Sequence, residues 1–224
     1  AGAAVIAAVL ACGALTISRN HDYRTELALY QDTVAKRPGN GFARYNLGKV
    51  YADAGRHAEA VVEFEHSLRL MPCVAHTHLN LANSLVALGR SAEGRTQLEA
   101  ALRLDPRYAK AHFNLGVLLV AGGDREAAVS HFRTAVEVLP GYLEARSNLG
   151  SVLLELGRLA EAETEFTRVV RLQPDAVEAR FGLGNVFLLQ QRWAKAAQEF
   201  EAVLRLRPDL PLLAGHQVRR APAK

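Results

Sequence analysis

Cysteine, aromatic residues and charge of one sign are all scarce in this chain, and each scarcity removes a class of protein. Two cysteines, Cys12 and Cys73, stand among 224 residues, with no CxxC pair and no Cys/His cluster at metal-ligand spacing. Neither a disulfide framework nor a zinc site is expected. Aromatics make up 7%, and of the net charge of +4 three positive charges sit on Arg219, Arg220 and Lys224 near the end of the chain. The other basic residues are spread among acids, without the basic stripe or interleaved aromatics that nucleic acid needs, so nucleic acid is not the expected partner. A nucleophile elbow, an HExxH pair and a triad-like grouping are all missing. Gly182-Leu183-Gly184 begins like a phosphate loop, but no strand pattern precedes it. The sequence carries no catalytic motif and calls for no cofactor, and it is silent on self-association.

What it has in quantity is apolar residues, half the chain, and a period. Prolines fall at Pro38, Pro72, Pro106, Pro140, Pro174 and Pro208, each 34 residues after the last. With each proline at position 32, five units follow: Gly41 to Val74, Ala75 to Tyr108, Ala109 to Tyr142, Leu143 to Ala176 and Val177 to Leu210. Position 7 is leucine throughout, from Leu47 to Leu183. Position 8 is small, reading Gly48, Ala82, Gly116, Gly150 and Gly184, while position 24 is bulky, reading Phe64, Leu98, Phe132, Phe166 and Phe200. Small opposite large at fixed spacing is how two helices approach closely. Glycines at Gly55, Gly89, Gly123 and Gly157 mark a helix break inside each unit, where a left-handed residue is needed. The fifth unit has Gln190-Gln191-Arg192 there, which predicts a strained or longer turn. Asp22 to Arg37 fits a second helix that caps the first unit within residues 18–40, and Leu212 to Ala221 fits a short polar cap within 211–224.

This pattern resembles the tetratricopeptide repeat (TPR) family, in which the period of 34, the Leu-Gly pair, the alanine at position 20 and the closing proline recur. The resemblance covers residues 41–210. It implies an all-α fold, a right-handed superhelix of antiparallel helix pairs, with the first helix of each pair lining a concave side. At about 100° per residue, positions 4, 7, 8 and 11 of the first helix form the core stripe. Positions 2, 6, 9 and 13 lie opposite and are free to meet a partner. Position 6 is Asn46, Asn80, Asn114 and Asn148, then Gly182; an asparagine offers a donor and an acceptor to the backbone of an extended peptide. The same amides could instead bond between neighbouring repeats. Lys49, Asn83 and Asn185 at position 9, Lys110 at position 2, and Tyr45 and Phe113 at position 5 complete the candidate peptide-binding groove. A carboxylate clamp of the kind some TPR domains use is not met, because Leu79 stands where its lysine would be. His78 and His112, at position 4, are expected in the core or half-buried and not as metal ligands.

Ala1 to Ile17 is apolar and uncharged, at the short end for a membrane span. It is expected to be the end of a transmembrane helix; a signal sequence, including a lipoprotein signal ending at Cys12, and a buried or disordered terminus are the alternatives. Followed by the segment from Ser18 to Gly48, it resembles the junction in bacterial multi-span membrane TPR proteins and their relatives, the transmembrane and tetratricopeptide repeat proteins. The repeats also resemble those of O-linked N-acetylglucosamine transferase. In the membrane proteins a region resembling lipid-linked-sugar glycosyltransferases precedes the repeats, which lie on the non-cytoplasmic side. The resemblance thus implies a membrane-tethered scaffold for a protein or peptide ligand, or the substrate-presenting arm of a glycosyltransferase. Arg19 and Arg24 beside the apolar segment favour the cytoplasmic side instead.

Overall fold

The structure is a computed structural model and describes residues 25–209. Among these residues there are eleven α-helices and no strand: α1 Glu26–Lys36, α2 Gly41–Asp53, α3 His57–Leu70, α4 Ala75–Ala87, α5 Ser91–Leu104, α6 Ala109–Ala121, α7 Arg125–Val138, α8 Leu143–Glu155, α9 Leu159–Leu172, α10 Val177–Leu189 and α11 Trp193–Leu206. The fold is all-α. The chain divides into two compact units, Ala1–Pro106 and Arg107–Lys224. The first holds α1 and the pairs α2/α3 and α4/α5. The second holds the pairs α6/α7, α8/α9 and α10/α11. The apolar segment 1–17 and the expected C-terminal cap lie outside the described residues. Among those described, no helix is long and apolar enough to cross a membrane.

Each pair is written by three local rules. A residue before proline is pushed out of the helical region, and the residues preceding Pro72, Pro106, Pro140, Pro174 and Pro208 all cap their helices at φ between −126° and −137°. The second helix therefore ends two residues before each proline. The turn within the pair uses a left-handed residue, at Gly55, Gly89, Gly123 and Gly157 with φ of 73°, 77°, 85° and 73°. The fifth pair keeps the same turn length and forces Gln191 to φ 61°. Of the two expectations for that turn, strain is what occurs. At its start, α1 is capped by Thr25, whose hydroxyl accepts from the Ala28 N–H at 3.2 Å.

The third rule is steric. A Cβ placed on Gly48, Gly116, Gly150 or Gly184 would come within 2.6–2.9 Å of the Phe64, Phe132, Phe166 or Phe200 ring. Those four phenylalanines are the largest fully buried side chains, each worth about 1.5–3 kcal/mol of burial. The pair α4/α5 solves the same problem by exchange. Ala82 replaces the glycine, Leu98 replaces the phenylalanine, and Gly94 replaces the alanine at position 20, where a Cβ would meet Val86 Cγ2 at 2.7 Å and the Ala82 carbonyl at 3.1 Å.

Candidate peptide-binding face

A second set of contacts, polar and between helices, fixes how each first helix sits. In α2 the Arg44 Nη1 pairs with Glu63 of α3 at 2.9 Å, and Arg44 Nε donates to the Pro38 carbonyl at 2.9 Å. Arg146 repeats this with Glu165 at 2.6 Å and Pro140 at 3.0 Å, and Arg180 with Glu199 at 2.7 Å and Pro174 at 2.6 Å. The guanidinium thus ties the first helix to its own second helix and to the proline turn just before it. The other two pairs substitute histidines at the same position. His78 Nδ1 lies 2.7 Å from Gln97 Oε1, and His112 Nδ1 lies 2.9 Å from His131 Nδ1. Both position 4 histidines are half-buried and hydrogen-bonded. Among the described residues no group of three or more metal-ligating side chains is placed to hold an ion. The sequence pattern did not bring out these ties, although an arginine followed 19 residues later by a glutamate in three units was the available signal.

With the first helices so held, their free faces carry the candidate residues. In the first unit Phe42 is 63% exposed, Lys49, His76 and Asn83 are exposed, and Tyr45, Asn46 and Asn80 are half-buried. The Phe42 and Tyr45 rings lie 6.4 Å apart, and His76 meets Tyr45 edge-on at 4.6 Å. Burial, then the nearby Lys49 charge, hold the His76 imidazole below its ordinary value. Asn80 Nδ2 donates to the Tyr45 hydroxyl at 3.0 Å, so one of its amide hydrogens bonds across neighbouring repeats.

In the second unit Lys110 and Val117 are exposed, while Asn114, Asn148 and Asn185 are half-buried. Phe113 corrects the expectation that it flanks the groove. It is only 8% exposed, with its ring 5.0 Å from Tyr142 and 5.9 Å from Phe132. Tyr142 is in turn raised above its ordinary value by burial and by the neighbouring Glu144 charge. Gly182, where the asparagine row stops, is buried, and a Cβ there would strike the Phe166 ring at 2.5 Å. Two recesses open on this face. One of about 310 Å³ is walled by Val117, Val120, Ala121 and Phe132, and the other of about 560 Å³ lies between α8, α9 and α10. Asn148 and Ser151 line both.

A family model described as Tetratricopeptide repeat matches residues 18–68, 79–142, 115–173 and 147–211. Among solved structures, the chain is similar to YrrB, a TPR protein with an unusual peptide-binding site, at 22% identity and a TM-score of 0.74, covering 85% of this chain and 97% of that one. It is also similar to pilF of Pseudomonas aeruginosa, at 22% identity and a TM-score of 0.70, covering 80% of this chain and 83% of that one. A third likeness is to the protein O-mannosyl-transferase Tmtc2 of Drosophila melanogaster, 35% identical over 65 residues, which is 29% of this chain and only 7% of that protein. The matched repeats span most of the chain, and the helix pairs, proline turns and small-to-large contacts are the family's own, so the chain belongs to the tetratricopeptide repeat family.

Proposed function

We propose that this chain is a membrane-tethered scaffold whose first-helix faces hold an extended segment of a partner protein. The observation that carries this is the state of Asn46 and Asn148. Both are half-buried on the free face, and among the described residues neither side chain makes a hydrogen bond. Their amides remain open to solvent and make no bond among the described residues, so each can pair with a ligand backbone, which offers both a donor and an acceptor. The description of YrrB as a peptide-binding TPR protein supports the same use of the fold. In this reading the apolar segment 1–17 is the tether and the repeats stand on the non-cytoplasmic side.

The match to an O-mannosyl-transferase favours a second reading, in which the repeats present substrate to glycosyltransferase residues that lie in another part of a longer protein. The coding sequence upstream of Ala1 separates the two. Several hydrophobic spans with an acidic residue in an early non-cytoplasmic loop support the enzyme, and a single span supports the plain scaffold.

The scaffold reading is tested by partner capture with the full chain in detergent, beside the variant Asn46→Ala with Asn148→Ala. Neither change removes a hydrogen bond among the described residues, so helicity and melting should hold while the partner is lost. A partner kept equally by both proteins would remove these faces from consideration.

A further inference from the structure

We infer that the face of the second unit selects peptides carrying an aliphatic and a basic side chain three residues apart, an inference that rests on the peptide-binding reading above. The two recesses there differ in chemistry. The smaller, between α6 and α8, has walls of Val117, Val120, Ala121 and Phe132, and the one carboxylate at its edge, Glu155, is held by Arg125 at 2.6 Å. Its lining holds no charged group without a partner to compensate a buried charge, so it suits an aliphatic side chain.

The larger recess is floored by Phe166 and Val169 and rimmed by Glu144, Asp175 and Glu178. None of these three carboxylates takes part in an ion pair among the described residues, in contrast to Glu155, Glu161, Glu163, Glu165 and Glu199 of the same unit. Arg207, the cation whose charge reaches Glu178, is itself held by both oxygens of Asp209 at 2.9 Å. A floor of apolar surface under a rim of unspent carboxylates fits a side chain with a long apolar stem and a cationic head, that is, arginine or lysine.

The distance between the two recesses sets the spacing. They lie on opposite sides of α8 and share Asn148 and Ser151, so their centres are separated by about one helix diameter, roughly 10 Å. A peptide in the polyproline II conformation advances about 3.1 Å per residue with three residues per turn, so side chains at i and i+3 leave on the same side about 9 Å apart, which matches the two recesses. Asn148, on the ridge between them, faces the backbone of the intervening residues with its unpaired amide.

The test is selection of a displayed peptide library, with glycine and serine flanks, on the full chain. Enrichment of an aliphatic residue three positions from arginine or lysine is expected. In a synthetic copy of the selected peptide, replacing the arginine by neutral citrulline should weaken binding about tenfold or more. The variant Glu144→Gln with Asp175→Asn and Glu178→Gln should no longer distinguish the two peptides, whereas Glu201→Gln, on the exposed side of α11, should distinguish them as the parent chain does. Circular dichroism checks that all three proteins keep their helices. Selected peptides without a basic residue, or an arginine preference that survives in the Glu144/Asp175/Glu178 variant, would overturn this inference and leave the peptide-binding reading standing. A library that yields no binder at all would overturn both.

Discussion

The tie around Arg146 makes a quantitative prediction because its guanidinium has nowhere else to go. The side chain is 5% exposed, Nη1 lies 2.6 Å from Glu165 and Nε 3.0 Å from the Pro140 carbonyl. In Glu165→Ala the carbonyl remains but the counter-charge is lost, and an uncompensated buried charge costs about 3–5 kcal/mol. At the 2–4 °C per kcal/mol expected of a chain this size, the lower figure lowers the melting temperature by roughly 6–12 °C. The control is Glu93→Ala, which breaks an Arg90 pair of the same length, 2.6 Å, whose side chains are 42% and 56% exposed. Exposed pairs of that kind are screened by water and contribute little, so this variant should melt close to the parent chain. Replacing both partners, with Arg146→Met and Glu165→Leu, should recover most of the loss, since a buried ion pair and an apolar pair of similar volume are often equivalent. Thermal denaturation followed by circular dichroism reads all three variants. If Glu165→Ala melts with Glu93→Ala, the guanidinium reaches water and the argument fails. If the double variant is no better than the single, packing of the arginine stem and not charge holds the turn.

Gln191→Gly should raise the melting temperature by about 2–4 °C, because it removes a left-handed strain of about 1 kcal/mol at a φ of 61°; an unchanged or lower value would mean that the Gln191 side chain contributes a contact worth more than the strain. Acid should weaken the fold in a defined window. Side-chain hydrogen bonds from Arg56, Arg90 and Arg158 hold Glu59, Glu93 and Glu161 below their ordinary value of 4.5. Carboxyls with depressed folded-state values contribute stability that is present above the unfolded value and lost as the pH falls through the folded one. His76, held below its ordinary value of 6.5, should cost some stability as the pH falls below 6.5, and melting should decline further below 4.5, with a smaller decline at high salt, where exposed pairs are screened; no decline between pH 4.5 and 3 would mean that these pairs stabilise nothing.

Much of the fold was legible because its rules are local and repeat. Proline at position 32 acts on the residue beside it, glycine at position 15 acts on its own φ, and the glycine facing phenylalanine is a size match 16 residues away. The groove was less legible because exposure depends on what a neighbouring repeat places nearby. Position 5 lies between the core stripe and the free face at 100° per residue, so its burial is set by its cover. Tyr142 covers Phe113, while Phe181 at the same position is 39% exposed. Asn80 likewise looked identical to Asn46 in the sequence, yet only Asn80 has a tyrosine hydroxyl of the preceding repeat within reach. Gly182 looked like a gap in a polar row and is instead the surface on which the Phe166 ring rests. The arginine ties escaped because they join residues 19 and 6 apart, spacings that belong to no single helix.

Those same spacings bear on how such a chain can lengthen. Every tie is completed within one period, counted from the proline of one turn to the glutamate of the next helix pair. A duplication of the 34-residue stretch that holds Pro38, Arg44 and Glu63, or of either of its two counterparts, copies a proline carbonyl, an arginine and a glutamate in working register. An insertion of any other length between the arginine and the glutamate of one tie leaves the guanidinium without its counter-charge. The ties therefore act as a proofreading device on descent, admitting growth by whole cassettes and penalising other changes of length that fall inside a tie.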